Sequence, residues 1–197
     1  MQELQLAELG KPFAPRKVHW RVGSVTRDRK RGMALCYLDA RDVMQRFDDV
    51  CGPENWQCIY SHAGDKTCCQ IGVRVNDVWI WKSDGAGDTD FEGNKGAFST
   101  AFKRAAVRWG VGRYLYDLGN CWVELQQDGR SIADFELEKL ERILSCHLAI
   151  LEAAEHEDKE TLESYREVIP ARKFGREVTQ NFVQLVEERL TGLQTAA

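Results

Sequence analysis

The segment Asn94–Trp109, NKGAFSTAFKRAAVRW, constrains the fold of this 197-residue chain more than any other. At 100° per residue, Phe98, Ala101, Phe102, Ala105 and Trp109 fall on one face, so the spacing predicts an amphipathic helix. Small residues dominate that face, which lets another backbone approach closely. Gly110 and Gly112 supply the stop. Three runs rich in Trp, Ile, Val and Tyr precede the helix: Asn55–Ala63, Lys66–Val75 and Val78–Ser83. They are separated by Gly64-Asp65 and Asn76-Asp77, and turns this short predict an antiparallel meander. A β-β-β-α unit is therefore expected.

Upstream, Val18–Val25 and Met33–Leu38 flank the polar turn Arg27–Gly32 and predict a hairpin. Asp39 is expected to cap a helix over Ala40–Val50, with Val43, Met44, Phe47 and Val50 on one face and Gly52-Pro53 as its stop. Residues 2–9 predict a short helix, and Cys121–Leu125 a short strand. Beyond residue 133 the texture turns helical and charged. Ala133–Ala154 carries Phe135, Leu137, Leu140, Ile143, Leu144, Leu148 and Leu151 as its apolar positions. Lys159–Val168 and Glu177–Leu190 follow, and the tail TGLQTAA is expected to fray. The expected class is α+β: a β-hairpin plus an antiparallel β-β-β-α core over residues 1–132, then a helical C-terminal appendage over 133–197.

The net charge of −4 argues at first sight against a polyanion partner. Its distribution reverses that argument. Residues 136–197 hold 8 basic and 13 acidic residues, whereas residues 11–31 hold 8 basic residues against Asp28 alone. Residues 95–113 hold Lys95, Lys103, Arg104, Arg108 and Arg113 with no acid. Ordinary solvated helices mix signs, so two acid-poor basic islands suggest a nucleic-acid-binding face. Lys103, Arg104 and Arg108 flank the apolar stripe, Arg104 and Arg108 as i, i+4 neighbours on one side and Lys103 on the other. The hairpin turn supplies Arg27, Lys30 and Arg31, and Tyr37 follows on the return strand as an aromatic able to stack on a base. Arg16, Lys17 and Arg21 are candidates for a second site or for plain surface charge.

Catalytic machinery is hard to find. Gly87 to Gly93 has five intervening residues and is followed by Asn94 and Lys95, so it fails the phosphate-loop pattern. The acids Asp84, Asp88, Asp90 and Glu92 are the candidate metal cluster, and they define the rival reading of a metal-dependent nuclease. A module that binds double-stranded nucleic acid by shape is the other rival. Seven cysteines without a C-x-x-C pair, and four scattered histidines, point to free, mostly buried thiols rather than a zinc site. No apolar run reaches the length of a membrane span, and the N-terminus lacks a signal-peptide pattern.

The stretch Arg27–Trp56, with its G-M-A-L-C-Y-L-D-A-R-D-V-M segment, resembles the Rad fifty-two family of single-strand DNA annealing proteins, including its phage and bacterial members. So does Lys95–Leu118, KGAFSTAFKRAAVRWGVGRYLYDL. The resemblance implies ATP-independent annealing of complementary strands in recombination and double-strand break repair. It implies an oligomeric ring with single-stranded DNA in a basic groove between sheet and helix, with no bond-making activity and no cofactor. On that resemblance Arg27, Tyr37, Lys95, Lys103 and Arg104 match DNA-contacting positions. The family's next helix arginine falls on Val107, so Arg108 lies one residue off, about 100° around the helix. The small-residue helix and the meander edges are candidate subunit contacts. A single-strand-binding protein or a recombinase is a candidate partner. The expected location is the cytoplasm of a bacterial or phage-infected cell, or the nucleus of a eukaryotic one.

Overall fold

In chain order the strands are β1 (Val18–Val25), β2 (Arg31–Leu38), β3 (Trp56–Ala63), β4 (Lys66–Val75), β5 (Val78–Ala86) and β6 (Cys121–Glu124). The helices are α1 (Ala40–Cys51), α2 (Ala97–Arg108), α3 (Asp134–Glu155), α4 (Lys159–Val168) and α5 (Arg176–Thr195). The structure is a computed structural model and describes residues 6–87 and 96–195. Lys95, Asp88, Asp90 and Glu92 lie outside the described residues, as do residues 2–5 of the expected first helix. The chain divides into two compact units. One comprises residues 1–18 and 38–114, the other residues 19–37 and 115–197. This division falls elsewhere than between residues 132 and 133.

The first unit contains the expected β-β-β-α arrangement. Strands β3, β4 and β5 form an antiparallel sheet in chain order. Asn76 and Asp77 both take positive φ (49° and 61°), the geometry a two-residue hairpin turn demands and these two residue types tolerate. Alternation along β4 sends Cys69, Ile71 and Val73 to one face, where all three are fully buried. Ala101, Phe102, Ala105 and Ala106 of α2 are equally buried, and α2 packs on β4 and β5. The alanines therefore do within the unit what the sequence suggested a subunit contact might use them for. The Trp109 indole closes the layer by donating to the Ile71 carbonyl at 3.1 Å.

Phe98 departs from the expected stripe. It is 42% exposed, lying edge-on to Tyr60 at 5.0 Å and to His62 at 6.0 Å, beside β3. In α1 the buried row is Val43, Phe47 and Cys51, at i, i+4, i+8, while Met44, one 100° step away, is exposed. Phe47 stacks on Trp56 at 5.1 Å, and the Trp56 indole donates to Asp48 at 2.7 Å. Asp39 occupies the position before α1, but its backbone carbonyl rather than its side chain takes the helix bond, from the Val43 amide at 3.2 Å. At the N-terminal end, a single turn of 3-10 helix (Glu8–Gly10) buries Leu9. Arg46 ties this segment down through the Glu8 and Lys11 carbonyls, at 3.0 and 2.6 Å.

The second unit contains a three-stranded sheet in the order β1-β2-β6 and the helices α3, α4 and α5. The short C-terminal strand adds to the hairpin with Arg31 opposite Glu124 and Ala34 opposite Cys121. The buried row of α3 is Glu136, Leu140, Ile143, Leu144, His147 and Ile150, so Phe135 (68% exposed) and Leu137 do not join the core. Glu136 holds a core position because its carboxylate accepts the Glu124 amide at 3.0 Å and pairs with Lys139 at 3.1 Å. Asp158 caps α4 through the Thr161 amide at 3.0 Å. Helix α5 continues to Thr195 rather than fraying from Thr191, whose hydroxyl donates to the Glu187 carbonyl at 2.8 Å.

All seven cysteines are free thiols, and Cys51, Cys69, Cys121 and Cys146 are buried. Burial pushes Cys51 up to about 11 and Cys69 up to about 12. The thiolate is the nucleophile, so both are expected to resist a thiol reagent at pH 8 and to react after unfolding in guanidinium. Fast labelling of Cys69 in the native chain would contradict its place beneath α2. Among the described residues no helix is long and apolar enough to cross a membrane.

Candidate nucleic-acid interface

Helix α2 presents its cations along two flanks. On one flank Arg104 and Arg108 are exposed, and both lie beside β5. The Arg104 guanidinium grips Asp84, donating from Nε at 3.2 Å and from Nη2 at 3.1 Å. Asp84 also accepts the Gly85 amide at 2.7 Å. The one described member of the acidic cluster is thus engaged by an arginine, which offsets its charge. On the other flank Lys103 is half-buried.

The C-terminal end of α2 gathers Arg113, already named with Arg108 in the acid-free island, and Lys82, which the sequence did not mark. Lys82 donates to the Arg108 carbonyl at 3.1 Å, with its ammonium 4.3 Å above the Trp109 ring. Arg113 donates to the Val107 and Arg108 carbonyls at 2.9 and 3.1 Å. The bonds to Arg108 satisfy a carbonyl at the helix end, while the Val107 carbonyl also takes the Gly110 amide at 3.0 Å. The acceptors are neutral, so the bonds do not cancel the charges. Desolvation, then the neighbouring Arg113 and Arg108, pull the Lys82 ammonium below its ordinary value. Lys82 is legible with hindsight in β5 alternation. It stands opposite Ile71, on the face that carries α2.

In the second unit the hairpin turn disposes of its own acid. Asp28 accepts the Thr26 hydroxyl at 2.6 Å and the Lys30 amide at 3.1 Å, and the Thr26 bond chiefly holds its carboxyl below the ordinary range. Arg29 takes positive φ (54°) to close the turn. Arg27, Arg29, Lys30 and Arg31 are all exposed. Arg27, Lys30 and Arg31 border a cavity of about 540 Å³ together with Glu124. Arg31 also reaches the Trp122 carbonyl at 3.4 Å. Tyr37 is half-buried on β2, its ring 5.5 Å from that of His19.

The structure therefore groups Arg27, Lys30 and Arg31 in one unit, and Lys103, Arg104 and Arg108 in the other. Each group is a set of phosphate-sized donors on a fold edge. The description of the Rad52/22 family double-strand break repair protein matches residues 1–70 and 67–132. The chain belongs to this family. Two curated relatives are single-stranded DNA-binding proteins named DdrA. The one from Deinococcus deserti is 37% identical over 114 residues, and the one from Deinococcus radiodurans is 32% identical over 115. Each match covers 57% of this chain and 56% or 55% of the relative, so the chain spans about half the length of the curated relatives it matches. The second of the two matched segments ends at residue 132, leaving α3, α4 and α5 outside the family match.

Proposed function

We propose that this chain binds single-stranded DNA and anneals complementary strands without ATP, as a homo-oligomer acting in recombinational repair of double-strand breaks. The observation that carries the reading is the acid-poor helix α2, with Lys103, Arg104 and Arg108 bordering a buried stripe and Lys82 and Arg113 at its end. Cations held at fixed spacing grip a phosphate backbone regardless of sequence. Bases then stay open for pairing with a second strand. The DdrA relatives add weight, since their names record single-stranded DNA binding. Few contacts per protomer suffice when many protomers line one strand, which is multivalency rather than one tight site. Assembly has an apolar surface available on the face of the β3–β5 sheet away from α2. There Ile59 and Trp81 are exposed, and Trp81 lies over Gly72, where a Cβ would come within 2.9 Å of the ring.

Competition between single- and double-stranded ligands at several salt concentrations tests the reading. The single strand is expected to win at every salt concentration, with the logarithm of affinity falling linearly against log salt. Preference for the duplex would favour recognition by helical shape instead. Magnesium-dependent cleavage of either ligand would favour the nuclease reading.

A further inference from the structure

The C-terminal helices carry more acid than base, yet Arg172, Lys173 and Arg176 crowd into five residues, R-K-F-G-R, between α4 and α5. This third basic island borders a cleft. A cavity of about 540 Å³ opens among β2, β6, α3 and the start of α5, its lining including Arg31, Lys139, Arg176, Glu177, Trp122 and Phe174. Arg31 is common to this cleft and to the cavity at the hairpin turn. The cations of the turn therefore continue, through Arg31, onto residues that lie beyond the family match.

We propose that this cleft holds one nucleotide of single-stranded DNA, its phosphate between Arg31 and Arg176 and its base against Trp122. Of the acids nearby, Glu136 is paired with a cation, whereas Glu177 lines the cleft and keeps its charge, held in place by neutral donors. Glu177 accepts from the Asn120 side chain at 2.6 Å and from its amide at 3.3 Å. Glu136 takes the Glu124 amide and the Lys139 ammonium. Arg31 and Arg176 are exposed and bring their full charge to the rim. Trp122 is half-buried, so it has a fixed position and surface left for stacking. The cavity size falls in the range of about 300–1,000 Å³ that small ligands use. The C-terminal helices then extend the strand's path instead of shielding it.

This inference rests on the single-stranded DNA reading above, and the test separates the two. Binding of oligothymidylate to the full chain is measured against salt for the wild type, Arg176→Ala, Arg176→Glu and the pair Lys103→Ala with Arg104→Ala. Thermal unfolding checks that each variant folds. Arg176→Ala is expected to lower the salt slope by about 0.7, the loss of one phosphate contact, and Arg176→Glu to lower it further. Part of the tryptophan quenching on binding is expected to vanish in Trp122→Phe. An unchanged slope in both Arg176 variants, with binding lost in the Lys103/Arg104 pair, overturns the cleft and leaves the function standing. Loss of affinity for an acidic peptide in Arg176→Glu, with the DNA slope intact, also overturns it. A wild-type chain that fails to bind oligothymidylate removes both.

Discussion

Alanine at both Lys103 and Arg104 is expected to weaken single-stranded DNA binding roughly tenfold or more at low salt, and to lower the salt slope by about 1.4. Loss of Arg104 removes more than one charge. Arg104 is paired with Asp84 at 3.1 Å, so removing it leaves a carboxylate on the basic flank of α2 as well as deleting a cation. Arg104→Ala is therefore expected to cost more than the loss of a cation alone. The same geometry predicts the opposite sign for Asp84→Asn. It frees the guanidinium and deletes a negative charge, and binding is expected to tighten about two- to fivefold, the scale of a partly exposed ion pair. Equilibrium binding of a labelled oligonucleotide at four or five salt concentrations measures all of these. A double variant with the wild-type slope would remove α2 from the interface.

Phe102→Ala is expected to destabilise the first unit by about 3–5 kcal/mol, the cost of truncating a fully buried aromatic and leaving a cavity. Phe102 has no exposed surface and sits 6.1 Å from the Trp56 ring and 6.4 Å from Phe47, on the layer formed by Cys69, Ile71 and Val73. Loss of this side chain undermines the helix that carries the basic flank, so binding is expected to fall with stability. Urea unfolding followed by tryptophan fluorescence gives the number. A loss below about 1 kcal/mol would mean that α2 is not held by this layer.

The local parts of this architecture were legible because local rules govern them. Strand β1 and helix α4 have the bounds their spacing predicts, and the meander turns at Gly64-Asp65 and Asn76-Asp77 fall where expected. Basic residues without acids between them also marked the exposed cationic groups of the hairpin turn and of α2. What stayed hidden is non-local. Nothing near Cys121 says that β6 pairs with β2, some ninety residues earlier, so the hairpin's membership in a unit with α3–α5 could not be read. Glu136 looks like a surface residue until the Glu124 amide that it satisfies is placed beside it. Phe135 and Leu137 look like core until that row fixes the helix rotation. Lys82 was passed over because an isolated lysine in a strand carries no signal without its neighbours Arg108 and Arg113.

Strand annealing in EDTA without nucleotide is the most direct test of the proposed activity. Two complementary labelled oligonucleotides are mixed with the wild-type chain and with the Lys103→Ala, Arg104→Ala double variant. The wild type is expected to accelerate duplex formation over the spontaneous rate and the variant to lose most of that acceleration. No acceleration by the wild type, or acceleration that requires magnesium or ATP, would contradict it.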